Sequence, residues 1–324
     1  MFEVYCFIII TFIISIIIDL FYGELPTKIH PVVIIGKIID FFKKLFIRYH
    51  NRWSGFLTTV LTIVSSCLLL LVIMKVSLLN EYLFIIIYSI ILSSTYSIKM
   101  LLSTAKDIEY DLKQDLNKAR QSVSYLVSRD TDELTESFIV SATIESMTEN
   151  ITDSYVAPVF YFIVASIIFM IFNIDYYIIL LFIPFVYRIS NTLDAMLGYT
   201  TDELIDIGFF PAKLDDILNY IPSRLSGLFI VLSAYLLKYD GNNAFKILKR
   251  DAKKCPSPNS GYTMAPTAGA LNIQLVKKGT YILGDNTNEI DVSDISKAIN
   301  LTSLTIALFT IFILIIMTIV YVII

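Results

Sequence analysis

Glu145, Glu149 and Asp153 stand four residues apart in one polar segment. On a helix that spacing lines them up as a single acidic stripe. Three like charges on one stripe repel unless a cation or a basic group sits among them, and few Lys or Arg occupy compensating positions nearby. Mg²⁺ takes only one or two carboxylates and fills its shell with phosphate oxygens and water. The stripe therefore reads as a candidate Mg²⁺–nucleotide site, with Asn150 beside it. Asp153 sits where the chain turns apolar, and a carboxylate at the edge of a bilayer is costly without a partner. The ordinary alternative is the solvated face of an amphipathic helix.

Further polar segments recur along the chain. Asp19 ends an apolar run, and Gly23, Pro26, His30 and Gly36 follow, a pattern that equally suits a plain helix end and a returning loop. Arg188, Asn191 and Asp194 fall at i, i+3 and i+6, broadly one side of a helix. Asp215 and Asp216 are adjacent, so a helix aims them about 100° apart, and Arg224 follows as a candidate partner. Arg188 and Arg224 also fit simple interfacial anchoring. The CPSPNSGY string at 255–262 has the prolines and turn formers of a fixed loop that aims backbone N–H groups at an anion. Cys255 is a poor candidate nucleophile, since nothing around it argues for a lowered pKa. No P-loop, GxGxxG, HExxH or GxSxG string occurs.

These segments need elements to hold them. Of 324 residues, 56% are apolar and only 17% charged, and the mean hydropathy is +0.71. A soluble chain of this size carries about 25% charge. The apolar residues cluster in runs at 4–18, 56–74, 83–98, 156–172, 176–187, 225–237 and 301–324. A span needs about 20 residues. The expectation is an all-α, polytopic membrane protein, one membrane-embedded domain over 1–324. Six spans are expected near 4–20, 56–74, 83–101, 155–172, 175–188 and 301–324. The run 225–237 is short and reads as re-entrant or interfacial. The first run lacks a basic n-region and a small-residue cleavage site, so it reads as a retained helix.

Six Lys or Arg fall in 19–55, six in 99–155 and nine in 238–300, against none in the turn 173–175. The positive-inside rule puts these loops (19–55, 99–155 and 188–300) in the cytoplasm. The spans are almost bare of charge, unlike those of a carrier or channel. A net charge of −4 gives no nucleic-acid signal, and two His with three Cys exclude a Cys/His zinc site.

Taken together the polar strings resemble the CobD/CbiB family, the adenosylcobinamide-phosphate synthases of cobalamin biosynthesis. The matching pieces are Asp19, Gly23, Pro26, HPV at 30–32 and Gly36, SRDT at 128–131, Glu145, ENITD at 149–153 and AP at 157–158. They continue with NTLD at 191–194, GY at 198–199, KLDDILN at 213–219, IPSRL at 221–225, SPNSGY at 257–262 and AGAL at 268–271. The resemblance implies an enzyme of the cell membrane, its active face cytoplasmic, that uses ATP and Mg²⁺ to join aminopropanol or its O-phosphate to the corrinoid adenosylcobyric acid. It implies catalytic or metal-holding roles for Glu145, Glu149, Asn150, Asp153, Asn191 and Asp194. It implies cofactor binding by Arg129, Asp215, Asp216, Arg224, Ser257 and Asn259, with Arg250 a further candidate for phosphate. Beyond substrates and lipid, the partners it leaves open are a second copy or other enzymes of the pathway. The chain departs from the family pattern at Cys255, where histidine is expected, and over 263–267. The competing class is an AmpE-like membrane sensor without ligase activity.

Overall fold

Polar caps and turn residues punctuate the apolar runs into helices. The computed structural model describes residues 2–127, 130–199 and 201–324, and it is 76% helical. In chain order the helices are α1 (Phe2–Tyr22), α2 (Pro31–Phe46), α3 (Arg52–Ser77), α4 (Glu81–Ser93), α5 (Ile98–Gln114), α6 (Leu116–Ser124) and α7 (Glu136–Ile151). After a π turn at Thr152–Val156 come α8 (Ala157–Ile171), α9 (Tyr177–Leu197), α10 (Phe209–Leu218), α11 (Tyr220–Leu236), α12 (Gly241–Asp251) and α13 (Gly261–Leu271). A hairpin of β1 (Leu275–Lys277) and β2 (Tyr281–Leu283) precedes the last helix, α14 (Ser293–Ile323).

The starts of these helices are written locally. Asn51, Asn80, Asp115 and Asp240 each accept a hydrogen bond from a backbone N–H two or three residues on, which satisfies one of the orphan donors of a first turn. His30 does the same for α2 through Nδ1, 3.1 Å from the Val32 N–H, with Pro31 preset at the first helical position. Desolvation holds His30 below its ordinary pKa, against a smaller upward pull from Glu24. It is thus a neutral cap, in keeping with a structural role. Asp19 is buried and accepts from the Ile98 N–H at 2.9 Å, so the carboxylate ending α1 caps α5.

Five helices are long and apolar enough to cross a membrane: α1, α3, Glu136–Ile171 counted through the π turn, α9 and α14. Two broken pairs, α4 with α5 and α10 with α11, bring the total to seven if each is one span. The expected six lies between these limits, and the short run at 225–237 falls within the second pair. The chain is a multi-pass membrane protein of the all-α class. Exposed Ile10, Ile17, Leu68, Val72 and Ile315 need no partner where hydrocarbon is the solvent.

The chain sorts into two compact units, the first made of 1–98, 157–218 and 313–324, the second of 99–156 and 219–312. In the first, aromatic contacts tie the apolar helices: Phe7 stacks on Tyr177 at 3.9 Å and Tyr161 on Tyr187 at 5.5 Å between ring centroids. Tyr5 stacks on Tyr321, which fixes the end of α14 to α1. The second unit has a core like that of a soluble domain, built from Ile108, Val123, Ile139, Ile144, Met264, Ala268, Leu275, Leu283 and Ile295. Residues 139–148 of α7 are all buried in this unit. The strands pair antiparallel around Gly279 at φ 73°, with Lys277 opposite Tyr281.

Candidate active site

Two of the three stripe carboxylates lie on α7, and the hairpin packs against them. Glu145 is 4% exposed, and a buried carboxylate persists only with hydrogen-bond partners. It has them: Ser141 Oγ donates to Oε1 at 2.6 Å and the Tyr281 hydroxyl donates to Oε2 at 2.7 Å. Ser141 Oγ in turn accepts from the Val276 N–H at 3.0 Å, so one hydroxyl joins helix, strand and carboxylate. Burial, and then the Glu145 carboxylate, push the Tyr281 phenol well above its usual range. It remains a proton donor at any physiological pH. Glu149, one turn on, is exposed, and Asn150 beside it is half-buried, its amide donating to the Ser146 carbonyl at 2.8 Å.

Glu145, Ser146, Glu149, Asn150, Lys277 and Tyr281 line a cavity of about 240 Å³, closed on its apolar side by Leu126, Val127 and Ala142. Lys277 is the cation among the described lining residues and interacts electrostatically with Glu149. The cavity thus offers two carboxylates, an ammonium, a phenol and an amide within one small volume. Such a set can hold a phosphate at one end and an amine at the other.

Among the described residues, no three His, Cys, Asp or Glu converge closely enough to form an ion cage. The Glu145 oxygens already receive two hydrogen bonds, and Asp153, on the π turn that follows α7, stays close enough to Glu149 to act on it electrostatically. The donor set fits Mg²⁺ of the phosphate-carried kind, which asks for one or two carboxylates and no dedicated cage.

The remaining expected residues form separate groups. Arg224, Ser257 and Asn259 come together in the second unit: Arg224 donates to Asn259 Oδ1 at 3.0 Å, to the Tyr220 carbonyl at 2.7 Å and to the Pro258 carbonyl at 3.3 Å. Its guanidinium lies over the rings of Tyr220 and Tyr262, at 3.5 Å and 4.0 Å. Ser257 Oγ accepts from the Asn259 N–H at 3.2 Å. This arginine locks the 255–260 turn onto the start of α11. In the first unit, Asn191 accepts from Arg188 at 3.2 Å, and Asp194 lies one turn on along α9. A Cβ at Gly198 would run into Asp194 Oδ1, so the glycine there makes room for the carboxylate. Asp216 on α10 pairs with Lys213 at 3.5 Å, and Asp215 is its half-buried neighbour. Arg129 lies outside the described residues.

One expectation changes. Arg250 is committed to Asp251 through Nε and Nη2, both at 2.8 Å, to Asp285 through Nη1 at 2.7 Å, and to the Gly284 carbonyl at 3.2 Å. It braces the fold and is not a free phosphate ligand. Burial pushes the Cys255 thiol up to about 11, in keeping with its reading as a poor nucleophile. Lys277, Tyr281 and Ser141 were not foreseen. The alternation of LVKKGTYIL at 275–283 around a glycine does signal a hairpin, though not what it packs against.

Comparison with known proteins agrees over nearly the whole chain. A family model described as CobD/Cbib protein matches residues 12–302. A protein of Methanothermobacter thermautotrophicus named "Probable cobalamin biosynthesis protein CobD" is 45% identical over 300 residues, covering 92% of this chain and 94% of its own. Proteins of the same name from Methanococcus aeolicus and Methanocaldococcus jannaschii are 43% and 39% identical, covering 84% and 92% of this chain and 86% and 94% of their own. No solved structure matches the chain.

Proposed function

We propose, because this chain belongs to the CobD/CbiB family, that it works in cobalamin biosynthesis as the ATP-dependent ligase joining aminopropanol or its O-phosphate to adenosylcobyric acid. The observation that carries the reading is the polar cavity in which Glu149 and Lys277 share one wall. The reaction joins a carboxylate to an amine, which is uphill in water, so the carboxylate is activated first. A carboxylate oxygen of the corrinoid attacks the γ-phosphorus of ATP; the bond to the bridging oxygen breaks, and ADP leaves. The amine nitrogen then attacks the acyl carbon, the bond to the phosphate oxygen breaks, inorganic phosphate leaves, and the nitrogen gives up a proton.

The residues of the cavity suit these steps. Glu145, its carboxyl oxygens fixed by Ser141 and Tyr281, is the group that draws an ammonium in. Glu149, which is exposed, takes the proton that frees the amine lone pair. Lys277 offsets charge on a phosphate. Asn150 orients the amine. Mg²⁺ bound with ATP would neutralise the phosphates, and Asp153 is the carboxylate that would hold it. Asn191 and Asp194 on α9, with Asp215 and Asp216 on α10, are further proposed substrate-binding positions. The Lys/Arg bias of the loops supports a site on the cytoplasmic face of the cell membrane.

The test is complementation of a strain lacking its own synthase, fed cobyric acid and scored for cobalamin-dependent growth. The wild-type chain restores growth, and Glu149→Ala abolishes it while the protein stays in the membrane. Full growth with Glu149→Ala removes that residue from the chemistry. A wild-type chain that inserts but never restores growth or forms the amide in membranes sinks the ligase reading in favour of the sensor.

A further inference from the structure

An apolar groove of about 340 Å³ opens in the first unit, among α2 with the loop before it, α3, α4 and α9. Among the described residues that line it, only Ser66 has a polar side chain. Its back wall is buried, from Ile35, Leu70 and Phe185, and its mouth stands open between Ile29 and Leu69. Leu69 shares a flank of α3 with the exposed Leu68 and Val72, and α3 is long and apolar enough to span. The mouth therefore opens sideways into hydrocarbon, not into water. A polar molecule entering here would leave its donors and acceptors unpaired. A hydrocarbon chain enters at no such cost. It also gains contact with side chains on several sides, where a chain on an open flank has protein on one.

Apolar fit by itself selects nothing in a bilayer, because lipid tails are as apolar as Leu or Ile. The rim is what selects. The helix α2, 16 residues long, is not among the spans. It turns Ile34, Ile35 and Ile38 to the groove and carries Lys37, Lys43 and Lys44 along its length. A basic amphipathic helix of this kind lies at the level of the headgroups. Two cations flank lining residues. Lys28 falls between Leu25 and Ile29, in the turn that the Ile29 N–H closes on the Pro26 carbonyl at 2.9 Å. Lys37 falls between Ile34 and Ile38. Both are exposed, and among the described residues neither pairs with a carboxylate within 4 Å. Over 23–49 the chain sets five Lys or Arg against Glu24 and Asp40, so the rim keeps a positive balance.

We propose that this groove is the seat of one anionic phospholipid, with an acyl chain in the slot and the headgroup phosphate at the ammonium groups of Lys28 and Lys37. Seated there, the chain fills the space that α2 leaves against α3, α4 and α9. A lysine near the headgroups favours an anionic lipid by about fivefold, so two together favour it by tenfold or more, on the order of the product. The seat is independent of the ligase reaction, and its test reads lipid and not amide.

The full chain is purified in detergent and placed in mixed micelles that hold phosphatidylglycerol or phosphatidylcholine with matched chains. Bound lipid is counted by native mass spectrometry. The wild type is expected to retain one phosphatidylglycerol per chain, with an affinity about tenfold or more above that for phosphatidylcholine. Lys28→Gln with Lys37→Gln should lose that preference, and Lys28→Arg with Lys37→Arg should keep it. Lys43→Gln with Lys44→Gln, further along the same helix, should leave it unchanged, which separates a seat from the general attraction of a basic helix. Leu69→Trp puts bulk in the open mouth, away from the buried core, and should lower retention of both lipids. Equal retention of the two lipids by the wild type overturns the proposal, as does an equal loss of preference in the two glutamine pairs. Undiminished binding in Leu69→Trp overturns it too. So does a wild-type chain that emerges lipid-free as a dimer, with a second copy covering the groove.

Discussion

Replacing Asp251 with asparagine tests whether the hairpin is held by charge. Asp251 is fully buried and accepts from Arg250 Nε and Nη2 at 2.8 Å, Lys254 at 2.6 Å and the Gly284 N–H at 2.9 Å. Burial alone would raise its carboxyl, but these donors outweigh it and hold the group at about 2, against an ordinary 3.8. A depression of roughly two units is worth about 2–3 kcal/mol at neutral pH. The folded-state pKa is the lower one, so this stability is complete above about pH 4 and is lost as pH falls through about pH 2. Asparagine keeps the shape and removes the charge, which also leaves Arg250 short of one counter-ion. At about 2–4 °C per kcal/mol, Asp251→Asn lowers Tm by roughly 5–10 °C at pH 7. The assay is thermal unfolding of the full chain in detergent micelles at pH 7 and at pH 3. The wild type loses stability at the lower pH, and the variant loses distinctly less. A variant that melts with the wild type at pH 7, or keeps the wild-type pH slope, refutes the reasoning. Amide formation should also drop below the melting range, since Gly284 directly follows the strand that carries Tyr281.

Lys277→Met should leave the fold intact, because among the described residues Lys277 forms no ion pair within 4 Å. It should raise KM for the phosphate-bearing substrate by about ten- to a hundredfold, the worth of a charge-assisted hydrogen bond, as steady-state assays in membranes would read. Cys255→Ser should retain amide formation within about threefold and resist inactivation by thiol reagents no better than wild type at neutral pH, given a thiol pushed up to about 11. A hundredfold loss in the serine variant would make that sulfur part of the chemistry.

The helices and the acidic stripe were legible because both rest on local spacing. Apolar runs of about twenty residues announce spans, and Glu145 and Glu149 four apart announce a shared face, which α7 presents. Asp153 keeps its place next to Glu149, although the backbone widens into a π turn at Thr152–Val156 that no residue pattern there announces. Lys277 and Tyr281 were hidden for a different reason: the Tyr281 to Glu145 bond joins residues 136 apart in sequence, a separation no periodicity reaches. Arg250 misled in the opposite sense. Its type suggested phosphate, and only the fold reveals that Asp251 and Asp285 have claimed it. The Arg224 group was legible as a neighbourhood, through IPSRL and SPNSGY, but its two stacked tyrosine rings were not.

The order in which the two units draw on the chain sets a timetable for making the protein. The unit begun by residues 1–98 is completed only by 313–324, and the one begun at 99 still waits for 219–312. Neither can close while the ribosome is working on the middle of the message. Segments already synthesised have to wait, unpaired, for sequence that emerges much later. Tyr5 waits for Tyr321, and Glu109 for Ser296, whose hydroxyl it accepts at 2.7 Å. A stop codon anywhere before the last helix therefore leaves two unfinished bodies instead of one intact and one missing. Quality control in the membrane would meet such a product as a whole-chain failure.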